Sequence, residues 1–190
     1  MPIAYHVIFG FYGFWLPNDP RGSWSDYVGS LDLLRYGRAT KTNLRRSLAA
    51  DPHDVRRRLA AKRALHHPPV VLTGRQARAV GRGFAEACRE GGYVLHACSI
   101  VPDHVHLVAG AHARPVGRVV GHMKGRAHQR VLAEDLWPPD DPPLWGGAGW
   151  RVFLDSAGDV ARAVRYVEGN PAKEGLPAQR WPFVTPFRTL

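Results

Sequence analysis

Two short stretches hold residue types that could do chemistry together. The first is Pro102-Asp103-His104-Val105-His106-Leu107-Val108. Residues two apart on a β-strand project from the same face, so His104 and His106 point together while Val105 and Leu107 point to the opposite, core side. Two imidazoles side by side on a sheet can chelate one metal ion. The same pair also fits two surface polar residues, since His-x-His arises readily by chance. The second stretch is Tyr166-Val167-Glu168-Gly169-Asn170-Pro171. Residues four apart on a helix share a face, which brings Tyr166 and Asn170 toward one point. A tyrosine hydroxyl is a covalent nucleophile once deprotonated. Its ordinary pKa of about 10 means that it needs a base or the field of a metal-bound phosphate to react near neutral pH. Asn170 offers a neutral carboxamide oxygen, acceptable to Mg²⁺ or Mn²⁺. Read alone, Tyr166 also fits an interfacial aromatic and Asn170 a C-terminal cap, and the residue before a proline avoids helical dihedrals.

These residues need elements to hold them. Ile3 to Tyr12 is rich in β-branched and aromatic types and reads as a strand. Phe14 to Tyr27 carries Pro17, Pro20 and Gly22 and reads as a loop. Arg35 to Arg63 is strongly basic, with a helix expected around Pro52 to Leu65 that ends before His66-His67-Pro68-Pro69. This stretch fits a solvated charged face and a phosphate-contacting arm equally well. A helix follows from Gly74 to Glu90, closed by Gly91-Gly92. Strands at Tyr93–Ile100 and Val105–Gly110 form a hairpin around Pro102-Asp103. A second long helix spans Pro115 to Glu134, with Pro115 suited to its first turn. A Pro- and Gly-rich loop, a short strand at Trp150–Leu154 and a helix over Gly158–Gly169, stopped by Pro171, complete the pattern. The tail from Ala178 is basic and aromatic. The order β-α-β-β-α-β is that of a ferredoxin-like, RRM-like unit, an α+β fold with an antiparallel sheet, helices on one face and the other open for a site. It is expected as a single domain over 1–190, with a long basic insertion at about 17–69 after the first strand and a basic tail at about 178–190.

Composition narrows the partner. The chain has 190 residues, with 26 Lys and Arg against 16 Asp and Glu, a formal net charge of +10. This excess favours a polyanion, either nucleic acid or an anionic membrane surface. No apolar run is long enough to span a bilayer, and Met1-Pro2-Ile3-Ala4-Tyr5-His6 has no signal-peptide pattern. Cys88 and Cys98, the only cysteines, make neither a CxxC pair nor a disulfide framework, which fits a reducing cytoplasm. On the 115–134 helix, Lys124, Arg126 and Arg130 could track phosphates. Gly117, Gly121 and Gly125 recur every four positions and read as allowing close helix packing; no GxxxxGK[ST] loop is present. Trp137, Trp145, Trp150 and Trp181 fit base-stacking platforms or core packing. His6 fits either a structural histidine or a neighbour of the metal site.

Three stretches together resemble the single-tyrosine HUH transposases, especially the REP-associated tyrosine transposase branch. Tyr5-His6-Val7-Ile8-Phe9 is similar to the family's opening strand. Val94 to Ala109 carries the His104-Val105-His106 core. Tyr166, Asn170, Pro171, Lys173, Gly175 and Leu176 resemble its YxxxNPxKxGL pattern. The likeness covers roughly residues 3–13 and 70–176. It departs at Asp103, where the family usually has Asn, and in the length of the segment from Pro17 to Pro69.

The resemblance implies a metal-dependent endonuclease and strand transferase acting on single-stranded or hairpin DNA. His104, His106 and Asn170 would bind one divalent metal, Mg²⁺ or Mn²⁺. Tyr166 would cleave through a 5′-phosphotyrosine link that later rejoins to a new 3′-OH. Lys124, Arg126, Arg130 and Lys173 are the candidate DNA contacts. The resemblance allows a homodimer as well as a monomer. Two other readings are a non-catalytic hairpin-binding regulator on the same scaffold, motivated by Asp103 and the basic insertion, and a phosphodiesterase in which water attacks instead of Tyr166.

Overall fold

A computed structural model describes residues 2–14, 16, 31–37, 52–138, 140, 142–147 and 149–188. Much of the loop and basic insertion expected before residue 52 therefore lies outside the described residues. Those described cluster into two compact units, one from residues 1–8, 72–140 and 151–190, the other from 9–71 and 141–150.

Strands β1 (Ala4–Gly10), β2 (Leu95–Ile100), β3 (His104–Gly110) and β4 (Trp150–Leu154) form one antiparallel sheet in the order β2-β3-β1-β4. Helices α1 (Val55–Arg63), α2 (Gly74–Gly91), α3 (Val116–Ala133) and α4 (Ala157–Lys173) accompany it. The expected α+β, ferredoxin-like architecture is the one found, with β3 between the two strands that α2 connects.

Local chemistry sets the main boundaries. Thr73 caps α2 through a capping box: its side chain accepts from Gln76 N, and the Gln76 side chain accepts from Thr73 N at 2.8 Å. Gly92 ends the helix in the left-handed region at φ 65°. The β2–β3 hairpin places Ser99 opposite His106 and Ala97 opposite Val108. The tail, without periodicity in sequence, lies along the outer edge of β2. Val184 bridges Leu95 in parallel, and the Gln179 carboxamide holds both backbone groups of Ile100 at 2.9 and 2.7 Å.

Every position of β3 from His104 to Ala109 is buried, so both faces of this strand are covered. Val108 packs with Ala4, Ala97 and Leu154 against Val160, Ala163 and Val167 of α4. By strand alternation Val108 shares its face with His104 and His106. The face expected to stay open thus carries α4, because half of it is apolar and matches that helix's apolar stripe. On the opposite side of β3, Val105 and Leu107 are fully buried, and α2 packs on β2 and on α3.

Two local expectations are corrected. Helix α4 does not stop before Pro171 but runs through it to Lys173. A proline's fixed φ suits a helix, and its cost here is one backbone hydrogen bond near the C-terminus, offset by burial of Asn170 and Pro171. Gly121 and Gly125 of α3 are not packing contacts: a Cβ on either meets nothing within 4 Å. The close approach falls instead at Gly83 of α2, where a Cβ would collide with the Ala127 backbone.

The second unit has its own small cluster of Leu16, Leu33 and Ala61, with Tyr36, Ala64 and Leu65 against it. Helix α1 starts at the Asp54 cap, whose carboxylate accepts from Arg57 N at 2.9 Å. Trp145 stacks on Phe11 with ring centroids 4.8 Å apart.

Candidate active site

The neighbouring strands β1 and β3 bring His6 and His106 into contact, Nε2 to Nδ1 at 3.1 Å with the rings stacked. His104 stands one pleat away on the same face, its ring centroid 4.7 Å from that of His106. Its Nδ1 lies 2.6 Å from Asp103 Oδ1. A carboxylate has no proton to give, so Nδ1 of His104 donates in this contact. Asp103 therefore orients a site histidine.

Helix α4 supplies the second half. Tyr166 sets its ring edge-on against His106 at 5.5 Å and against His6 at 5.6 Å. Lys173, two turns later, holds its ammonium 4.1 Å from the Tyr166 ring centroid. Asn170 lies between them in sequence, one turn from Tyr166, and is buried. Because the helix continues through Pro171, the four-residue spacing is realised in helical geometry.

Burial sets the protonation states. It pushes the His6 imidazole down to about 4. His106 is held well below the ordinary histidine range by burial, then by repulsion from His104, His6 and Lys173. Both rings are neutral at pH 7, the state that ligates a metal. Burial, followed by the nearby Glu174 carboxylate, raises the Tyr166 hydroxyl. The phenol is therefore a weak nucleophile until positive charge reaches it.

Among the described residues, no group of three or more His, Cys, Asp or Glu forms a ready ligand set. A divalent ion at this face would take two imidazoles and a neutral oxygen. The donors suit that task. His104 has its Nδ1 bound to a carboxylate and His106 has its Nδ1 against another ring, the outer-shell arrangement of ligating histidines. Asn170, one helical turn from Tyr166, offers a buried neutral carboxamide.

The other residues singled out from sequence separate. Arg126 pairs with Glu86 and Glu90 at 2.9 and 3.1 Å, and Arg130 pairs with Glu86. These bridges tie α3 to α2 and spend both charges on carboxylates. Lys124 is desolvated, its pKa lowered to about 8. Trp181 packs on Gly81. One residue of the site face had no signal of its own in the sequence. Ser99 is fully buried opposite His106, and among the described residues its hydroxyl has no hydrogen-bond partner. Only the hairpin register reveals it.

No family model and no curated relative matches the sequence. Among solved structures, the chain is similar to a REP-associated tyrosine transposase bound to a REP hairpin. That match has a TM-score of 0.51 and 13% identity, and covers 96% of this chain and 76% of the other. The chain has the fold of that REP-associated tyrosine transposase. A candidate transposase from Deinococcus radiodurans R1 also aligns, at a TM-score of 0.47 and 16% identity over 89% of this chain and 91% of that one. On this fold both histidines come from β3, an interior strand, and the tyrosine from α4, which packs against the same face.

Proposed function

We propose that the chain is a tyrosine transposase: a DNA endonuclease and strand transferase that cleaves single-stranded or hairpin DNA through a covalent phosphotyrosine. The observation that carries this reading is Tyr166 lying edge-on to His106 on the face that also holds His104. Two weak sequence signals, sixty residues apart, thereby become one site.

In this reading Tyr166 Oη attacks the phosphorus of the scissile phosphodiester. An Oη–P bond forms, the bond to the 3′ oxygen breaks, the phenol proton is lost to solvent and the leaving oxygen takes one up. The product is a 5′-phosphotyrosine with a free 3′-OH, and attack by another 3′-OH reverses the step. His104, His106 and Asn170 are the residues that would hold a divalent metal, Mg²⁺ or Mn²⁺. Bound there, the ion would supply Lewis-acid stabilisation of charge on the phosphate and leaving oxygen. Lys173, whose ammonium lies over the tyrosine ring, is the cation that would meet the phosphate beside it. His6 and Asp103 position the two imidazoles. The whole 190-residue chain acts as one catalytic domain, on its own or as a homodimer.

The test is a metal-dependent covalent adduct with single-stranded or hairpin DNA. Adduct formation that requires Tyr166 supports the proposal. Cleavage without adduct would move the reading to water attack, and binding without cleavage would move it to a hairpin-binding regulator. Among the described residues no helix is long and apolar enough to cross a membrane.

A further inference from the structure

The positive charge of this chain is not uniformly available. On the α2/α3 pair, Arg82, Arg126 and Arg130 are matched to Glu134, Glu86 and Glu90. Helix α1 differs. It carries Arg56, Arg57, Arg58, Lys62 and Arg63 within nine residues and no acidic residue in its first turn. Among the described residues, none of these cations pairs with a carboxylate. The Arg57 guanidinium donates to a backbone oxygen, the Arg35 carbonyl, at 3.1 Å. The Nε of Arg58 is buried without a hydrogen-bond partner.

The arrangement around the helix is informative. At about 100° per residue, Arg56 and Arg63 fall on one side of Leu59, and Lys62 and Arg58 on the other. Val55 and Leu59 form an apolar crest between them, 45% and 42% exposed, and Ala61 is the buried contact to the rest of the unit. A single strand presents one line of phosphates. The major groove of a duplex accepts an α-helix, with a backbone on each side and thymine methyls on its floor. A lipid surface calls for cations opposed to a broad apolar face, and here they surround the helix instead.

We propose that α1 is a docking element for duplex DNA, such as a hairpin stem, with its two basic flanks on the two backbones and Val55 and Leu59 toward the groove floor. This rests on the DNA-processing reading above and adds which surface holds the paired region.

The test uses the full chain in EDTA, so that cleavage plays no part. Affinity for a short DNA hairpin with A·T pairs in its stem and for an unstructured strand of equal length is measured by fluorescence anisotropy across a salt series. The wild type is compared with R56Q/K62Q/R63Q and with R75Q/R78Q/R89Q, which removes as many exposed charges from α2. Each lost phosphate contact lowers the log–log salt slope by about 0.9, so the α1 variant should lose about 2.7 for the hairpin. The α2 variant and the single strand should change far less. R56K/R63K should keep the wild-type slope, separating charge from folding. Equal losses for both triple variants, equal losses for hairpin and single strand, no hairpin binding by the wild type, or preferential loss of binding to anionic phospholipid vesicles would each overturn the assignment. A chain that docks hairpins through α1 yet forms no adduct would fail the proposed catalysis and leave this inference standing.

Discussion

At the residue scale, the site is organised by what burial does to histidines. The His6 imidazole titrates near 4 in the folded chain and near its ordinary 6.5 when unfolded. Between these values the unfolded state binds more protons, so stability rises with pH through this window and is lost as pH falls. The shift corresponds to about 3 kcal/mol, and His106 acts in the same direction. Urea melts at pH 7 and pH 5 should show a clear loss at the lower pH, and His6→Gln should flatten it; equal pH sensitivity in the variant would contradict the account. His6→Ala removes the partner of His106 Nδ1, and should weaken Mn²⁺ binding, read by calorimetry, by about 10- to 100-fold. Glu174 raises the tyrosine hydroxyl, so Glu174→Gln should lower its pKa in a spectroscopic titration. An unchanged or higher value would show that Glu174 does not act on Tyr166.

At the scale of elements, the α2/α3 contact depends on one glycine. Gly83→Ala forces a Cβ into the Ala127 backbone and should cost about 1–3 kcal/mol. Gly121→Ala meets open space on a helix and should stabilise by about 0.5–1 kcal/mol. Thermal unfolding of the two variants should therefore shift in opposite directions, and a neutral Gly83→Ala would dismiss the close approach. This pair also shows what the sequence held and withheld. The order of strands and helices was legible because hydrophobic periodicity and Gly and Pro punctuation are local. The common face of His104 and His106 was legible because it follows from strand alternation alone. Which glycine makes the contact was not, because a four-residue repeat on α3 says nothing of where the partner helix lies. The same limit hid the His6–His106 pairing and Ser99, which depend on strand order and register. The extension of α4 through Pro171 was masked by a rule that burial of that turn overrides.

At the scale of the whole molecule, the charge of +10 is partitioned. Part of it is consumed in bridges between α2 and α3, part surrounds α1, and one lysine lies over the tyrosine. Net charge therefore points to a polyanionic partner, while the carboxylate pairing decides which cations remain to meet it. The carboxylate partners of Arg126 and Arg130 were not legible in sequence, because Glu86 and Glu90 on α2 are remote along the chain. The proposed tyrosine nuclease lies on the face joining β3 to α4. It is tested most directly on a denaturing gel. The protein is mixed with labelled hairpin and single-stranded DNA from the sequence flanking its gene, with Mg²⁺, Mn²⁺ or EDTA. Tyr166→Phe and His104→Ala proteins run alongside. A labelled band at protein size is expected with metal, absent in EDTA and in both variants, while Tyr166→Phe still binds the DNA. An adduct that persists in Tyr166→Phe, or cleaved DNA that never joins to protein, would contradict it.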